Sequence, residues 1–230
     1  MVSKPSGLLT CLVRFSALRT VSKLGCAWAL GVCWWLIAFS DAAAASDRTV
    51  LVLGDSLSAG YGLKPAQGWV ALLEKRLQTQ GYEYRVVNAS ISGETSGGGL
   101  QRLPRALETH KPAVVILELG ANDGLRGLPV AQTRDNLTKM VGGVKDGGAK
   151  VLLVGMRLPP NYGQRYTTDF MNMYREIATS SRVALVPFLL QSVALKPALM
   201  QADGLHPTAD AQPALLDTLW PQLKPLLQKR

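Results

Sequence analysis

Residues 113–119, A-V-V-I-L-E-L, are apolar at successive as well as alternate positions, so a strand made from them must be covered on both faces. Similar short runs recur at residues 49–53 (T-V-L-V-L), 84–88 (Y-R-V-V-N), 150–155 (K-V-L-L-V-G) and 183–186 (V-A-L-V). Between them the apolar spacing changes to a helical one, as in the stripe Trp69, Val70, Leu72, Leu73 and Leu77 within residues 69–80. Helices are predicted over residues 100–107, over 130–145 with a stop at Gly147-Gly148, over 168–180, and over a tail, 209–228, that Pro213, Pro221 and Pro225 should shorten or break. Strands alternating with helices make a parallel sheet, and right-handed crossovers cover both its faces. The predicted fold is therefore α/β, a three-layer α/β/α sandwich on a five-stranded parallel sheet. Ligands of such sheets bind beyond the carboxyl ends of the strands.

Residues 1–45 follow a different pattern. Arg14, Arg19 and Lys23 precede an apolar run from residue 26 to 39, and Ala42 to Ala45 supply small residues for an A-x-A cleavage site. That order predicts a secretory signal peptide, cleaved shortly after Ala44 or Ala45, followed by one domain over residues 46–230. The alternative is an uncleaved anchor, but the apolar run falls short of the roughly 20 residues of a membrane span. All three cysteines, Cys11, Cys26 and Cys33, lie in this leader. A domain free of thiols suits an oxidising compartment, the periplasm or the medium. The net charge of +9 divides into +3 for the leader and +6 for the remainder, which holds 21 basic and 15 acidic residues. The basic residues are scattered rather than gathered in a stripe, which argues against a nucleic-acid partner. Neither a heptad repeat nor a large exposed patch calls for a dimer, so a soluble monomer is expected, with no stable membrane insertion after cleavage.

Polar residues collect just after the apolar runs: Gly54-Asp55-Ser56-Leu57-Ser58, then Asn88 to Thr95, then Gly120-Ala121-Asn122-Asp123, and last Asp203-Gly204-Leu205-His206-Pro207. A serine hydroxyl is a poor nucleophile until a base takes its proton. Two histidines are available, His110 and His206. His110 falls at a helix end before the third strand, on the wrong edge of the sheet. His206 follows Asp203 by three residues, a spacing that lets one turn set the carboxylate beside the ring, and Pro207 is placed to open the last helix. The same D-G-x-H-P segment is equally good turn chemistry, Ser56 could simply cap a helix, and Gly93 and Asn122 could be turn residues. Gly97-Gly98-Gly99 lacks the pattern of a phosphate loop and reads as close helix packing.

Together these four segments resemble, in order and spacing, the blocks of the SGNH/GDSL hydrolase superfamily, over essentially all of residues 49–227. The segments G-A-N-D-G-L-R-G (120–127), R-L-P-P-N-Y-G-Q-R-Y (157–166) and D-A-Q-P (210–213) are similar to those of its bacterial multifunctional thioesterase I/lysophospholipase/arylesterase group, with Ala121 where that group often has glycine. The resemblance implies a flavodoxin-like SGNH fold and a catalytic triad of Ser56, Asp203 and His206. It implies an oxyanion hole from the N–H groups of Ser56 and Gly93 and the amide of Asn122, with no metal and no cofactor. The implied substrates are small-molecule acyl esters and thioesters: aryl esters, acyl-CoA-type thioesters and lysophospholipids. Leu125, Leu128, Met156, Leu158 and Pro159 are candidates to line an acyl groove, although ordinary packing accounts for such residues equally well. Competing readings are a carbohydrate O-deacetylase on the same fold and an exported binding protein without catalysis.

Overall fold

The computed structural model describes residues 48–229; the expected signal peptide and its cleavage site lie outside the described residues. The apolar runs form five parallel strands, β1 (Arg48–Gly54), β2 (Tyr84–Asn88), β3 (Val114–Glu118), β4 (Lys150–Val154) and β5 (Ala184–Val186). They lie side by side in the order β2-β1-β3-β4-β5. All five residues of β3 are buried, as its two-sided apolarity requires, and β3 sits in the middle. Strand β2 ends in the polar pair-former Asn88, carries the exposed Arg85, and sits at an edge. Register is fixed by pairs such as Val52 with Ile116 and Leu53 with Leu117.

The longer helices are α2 (Trp69–Thr79), α3 (Ser96–His110), α5 (Val130–Asp146), α6 (Gln164–Ser181) and α7 (Gln212–Leu223), with two short ones, α1 (Ser56–Ala59) and α4 (Ala121–Leu125), at strand ends. Each long helix buries one stripe; in α6 it is Phe170, Met173, Tyr174, Ile177 and Ala178. Helices α3, α5 and α6 pack side by side, and α2 packs on α7. Because the chain reverses direction across the sheet between the β1–β2 and β2–β3 crossovers, right-handed connections put these two groups on opposite faces. The three-layer sandwich with a five-stranded parallel sheet is therefore what the chain forms.

Differences from the sequence reading concentrate at helix ends. Helix α3 begins at Ser96 rather than residue 100, so the three glycines lie in its first turn. Their smallness is used there, since a Cβ on Gly99 would stand 2.3 Å from Leu119 Cδ1. In the tail, Pro213 sits in the first turn of α7 and Pro221 is carried inside the helix without ending it. The buried face Leu215, Leu216, Leu219 and Leu223 holds α7 through that position, and the chain tightens to a 3₁₀ turn only at Lys224–Leu226, around Pro225. Pro207 does not open the last helix as expected: it pairs with Met200 in an antiparallel bridge, and α7 starts at Gln212.

Candidate active site

The order β2-β1-β3 makes the carboxyl ends of β1 and β3 a topological switch point, where chain connections diverge and leave a crevice. Strand β1 ends at Gly54, which must be glycine because a Cβ would lie 2.7 Å from both Glu118 Oε2 and Ser58 Oγ. Asp55 then caps α1, its Oδ1 accepting from the Leu57 N–H at 3.0 Å. Capping therefore falls to Asp55 and not to Ser56, whose hydroxyl is left to face the crevice.

From beyond β5 the chain returns through the bridge at Met200 to the segment Asp203 to His206. Asp203 Oδ1 accepts from the N–H groups of Leu205 and His206, both at 2.9 Å, while its Oδ2 lies 2.6 Å from His206 Nδ1. One carboxylate oxygen thus closes the turn and the other lies beside the ring. Hydrogen bonds from the His206 N–H, then from its ring and from Leu205 N–H, hold the Asp203 pKa down at about 2. An ionised carboxylate only accepts, so Nδ1 carries a proton, and in the neutral ring the lone pair is then on Nε2. That lone pair is aimed at Ser56 Oγ, 2.8 Å away. The three predicted residues form one hydrogen-bonded chain, although Ser56 and His206 are 150 positions apart.

Asn122 lies in α4, just past β3, and Gly93 in the turn after β2. The Asn122 Nδ2 donates to Asp55 Oδ2 at 3.1 Å and to the Glu94 carbonyl at 2.9 Å. Gly93 has φ 80°, a left-handed conformation that glycine adopts without penalty, and its carbonyl accepts from Arg126 Nη2 at 3.0 Å. The N–H groups of Ser56 and Gly93 make no hydrogen bond among the described residues. Ser56, Gly93 and Asn122 all line one cavity of about 630 Å³. His206 lines it as well; His110 ends α3 and does not.

Leu125, Met156, Leu158 and Pro159 line this cavity as expected, and Phe188 and Leu190 extend its apolar wall. Leu128 does not. It follows Gly127, whose left-handed φ of 67° turns the chain, and its carbonyl is bonded by the Tyr166 hydroxyl at 2.7 Å.

Beneath Ser56 lies a feature the sequence reading missed. Glu118, the lone acid of the third apolar run, is fully buried and pairs in register with Gly54. Its Oε2 accepts from Ser58 Oγ at 2.6 Å and from the Asp55 N–H at 3.3 Å. Burial, reinforced by the Asp55 charge, pushes its pKa well above the usual carboxyl range. Burial likewise raises Asp55 to about 6. Two further residues had no signal of their own: Tyr61, whose ring lies 4.5 Å from that of His206, and Gln201, which bonds the Tyr61 and Pro207 carbonyls. Among the described residues no three His, Cys, Asp or Glu side chains gather as a metal site, and no helix is long and apolar enough to cross a membrane.

A parallel α/β/α sandwich with a serine, a histidine and an aspartate joined at its switch point defines a class, the hydrolases of SGNH type. The chain belongs to the GDSL-like lipase/acylhydrolase family, whose model matches residues 52–213. It is 55% identical over 198 residues to "Esterase TesA" of Pseudomonas aeruginosa, a match covering 86% of this chain and 98% of that one. It is 47% identical over 193 residues to "Thioesterase 1/protease 1/lysophospholipase L1" of Escherichia coli K12, covering 84% and 91%. Among solved structures it is similar to the psychrotrophic esterase EstA of Pseudoalteromonas sp., in a form inhibited by monoethylphosphonate. The TM-score is 0.75 at 44% identity, and the match covers 78% of this chain and 98% of that one. The chain is accordingly a hydrolase of the lipase/acylhydrolase type.

Proposed function

We propose that the protein is an exported serine hydrolase that cleaves acyl esters and thioesters through an acyl-enzyme. The observation that carries this reading is the continuous chain Ser56 Oγ to His206 Nε2 at 2.8 Å and Nδ1 to Asp203 at 2.6 Å, opening on an apolar cavity. Ser56 attacks the acyl carbon as His206 takes its proton, and Asp203 fixes the tautomer and stabilises the imidazolium. The negative charge that develops on the carbonyl oxygen is met by the Ser56 and Gly93 N–H groups. Asn122 joins them by turning one N–H from its protein acceptor to the oxyanion, a tightening common on going from free enzyme to complex. His206 then gives the proton to the leaving oxygen or sulfur. Water, activated by the same base, releases the acid.

Aryl esters, acyl-CoA-type thioesters and lysophospholipids are the proposed substrates, in keeping with the esterase, thioesterase and lysophospholipase names of its relatives. The leader over residues 1–45 is proposed to direct export of a soluble monomer and to be removed. The intact mass of the exported protein tests this, and a product still carrying the leader would contradict it.

The apolar lining by Leu125, Leu158 and Phe188 supports a reading in which the acyl group is the larger determinant of choice. Each buried methylene contributes at best about 0.8 kcal/mol. In a p-nitrophenyl and acyl-thioester series from acetyl to palmitoyl, kcat/KM should therefore rise from acetyl to medium or long chains. Highest activity on acetylated sugars, with no gain from lengthening, would instead mark a carbohydrate deacetylase.

A further inference from the structure

His206 has one ring edge on Ser56 and the other on Asp203, while Tyr61 lies against the ring itself, centroids 4.5 Å apart and planes tilted by 37°. Tyr61 is held there by its backbone. Its N–H donates to the Ser56 carbonyl at 3.1 Å, and its own carbonyl accepts from Gln201 Nε2 at 2.9 Å. The same Gln201 nitrogen donates to the Pro207 carbonyl at 3.0 Å, and the Gln201 N–H donates to the His206 carbonyl at 2.7 Å. Tyr61 is thereby tied to the segment of Ser56 and to that of His206 at once. Tyr61 is 52% exposed and lines the cavity.

Acyl transfer offers a role for an exposed aromatic ring in this position. The bond from Ser56 Oγ to the acyl carbon forms as the hydroxyl proton moves to His206 Nε2. Collapse then breaks the bond from the acyl carbon to the leaving oxygen, which takes that proton from Nε2. The leaving group must therefore stand against His206, and Tyr61 borders whatever stands there. The geometry points to Tyr61 as the wall of a leaving-group subsite that favours planar aromatic alcohols over aliphatic ones. This inference rests on the Ser56–His206–Asp203 reading above. Aromatic pairs with centroids about 4.5–7 Å apart attract beyond the area they bury. All esters of one acid give the same acyl-enzyme, so the preference must show in kcat/KM, which reports the steps up to loss of the alcohol.

The test uses hexanoate esters of phenol, 2-naphthol, ethanol and cyclohexylmethanol with the wild type, Tyr61→Phe and Tyr61→Leu. Tyr61→Leu should lower kcat/KM for the two aryl esters about threefold to tenfold more than for the two alkyl esters, whereas Tyr61→Phe should hold the wild-type ratio within about twofold. An equal fall for all four esters would reduce Tyr61 to a support for His206 and overturn the subsite, as would an unchanged aryl preference in Tyr61→Leu. The wild type alone gives a second readout: 2-naphthol should inhibit competitively more tightly than 2-decalol of similar size, and the reverse order would also overturn the proposal. A Ser56→Ala protein that turns over esters at the wild-type rate would instead sink the acyl-enzyme reading itself.

Discussion

Ser56 and His206 meet at 2.8 Å, but the two sides of that contact are built in opposite ways. The Ser56 side grows from the ends of central strands. Asp55, Ser58 and Glu118 are 1%, 2% and 0% exposed, and their hydrogen bonds join β1 to β3 below the serine. The His206 side is a loop, with side-chain exposures of 19% for His206 and 37% for Asp203, fixed by a turn, a two-residue bridge and Gln201. The buried side gains rigidity from the core and must keep carboxyl groups in a place that disfavours their charge. The exposed side keeps its carboxylate charged, because Asp203 accepts three hydrogen bonds, and that charge is what the imidazolium needs. On the proposed mechanism each half is suited to its part: a nucleophile held still on the floor, and a charged carboxylate that orients the base left near water.

Breaking the contact from either side should have the largest effect. His206→Ala and Ser56→Ala should each lower kcat about 10⁴–10⁶-fold, and the double variant should cost little more, since residues acting as one unit are not additive. Asp203→Ala should cost less than either. A second tier lies between the halves. Asn122→Ala should lower kcat about 10²–10³-fold while the protein stays folded, read by steady-state kinetics alongside thermal melting. Undiminished kcat in that variant would remove the amide from the oxyanion site.

The smallest expected effect separates the halves by pH. Asp55 has its folded pKa raised from 3.8 to about 6, so the unfolded chain ionises first as pH rises. Its contribution to stability is full below about pH 4 and is lost as pH climbs to about 6. Asp203 has its folded pKa lowered from 3.8 to about 2, so its contribution is present above about pH 4 and is lost as pH falls toward 2. Relative to wild type, Asp55→Asn should therefore gain stability between about pH 4 and 6, and Asp203→Asn should lose it between about pH 2 and 4. Melting temperatures across pH 2–7 should show both trends as shifts of a few degrees. Parallel trends in the two variants would contradict the contrast between the halves.

The same contrast governs what could be read from sequence. Ser56, Asn122 and Gly93 follow strands whose apolar runs announce themselves, and Asp203 and His206 are neighbours on a single turn, so local pattern marked them as candidates, and only the family resemblance gave them roles. Glu118 was visible as a lone acid in an apolar run, but its meaning depends on the register that sets it opposite Gly54. Tyr61 and Gln201 meet across 140 positions because of the path of a loop, which no periodicity encodes. Leu128 and Met156 are alike as apolar residues. A left-handed Gly127 before one, and a strand end before the other, decide that only Met156 lines the cavity. Helix ends were misjudged where glycine and proline propensity opposed packing, as at Gly97 to Gly99 and Pro221, and packing prevailed.

The central claim is that Ser56 becomes acylated with His206 as its base. It is tested most directly by treating the protein with a serine-directed organophosphonate and locating the adduct by peptide mass spectrometry. The account predicts one equivalent of label, carried on Ser56, with complete loss of esterase activity and much slower labelling of His206→Ala. Label on another residue, or a folded Ser56→Ala protein that still hydrolyses esters at the wild-type rate, would contradict it.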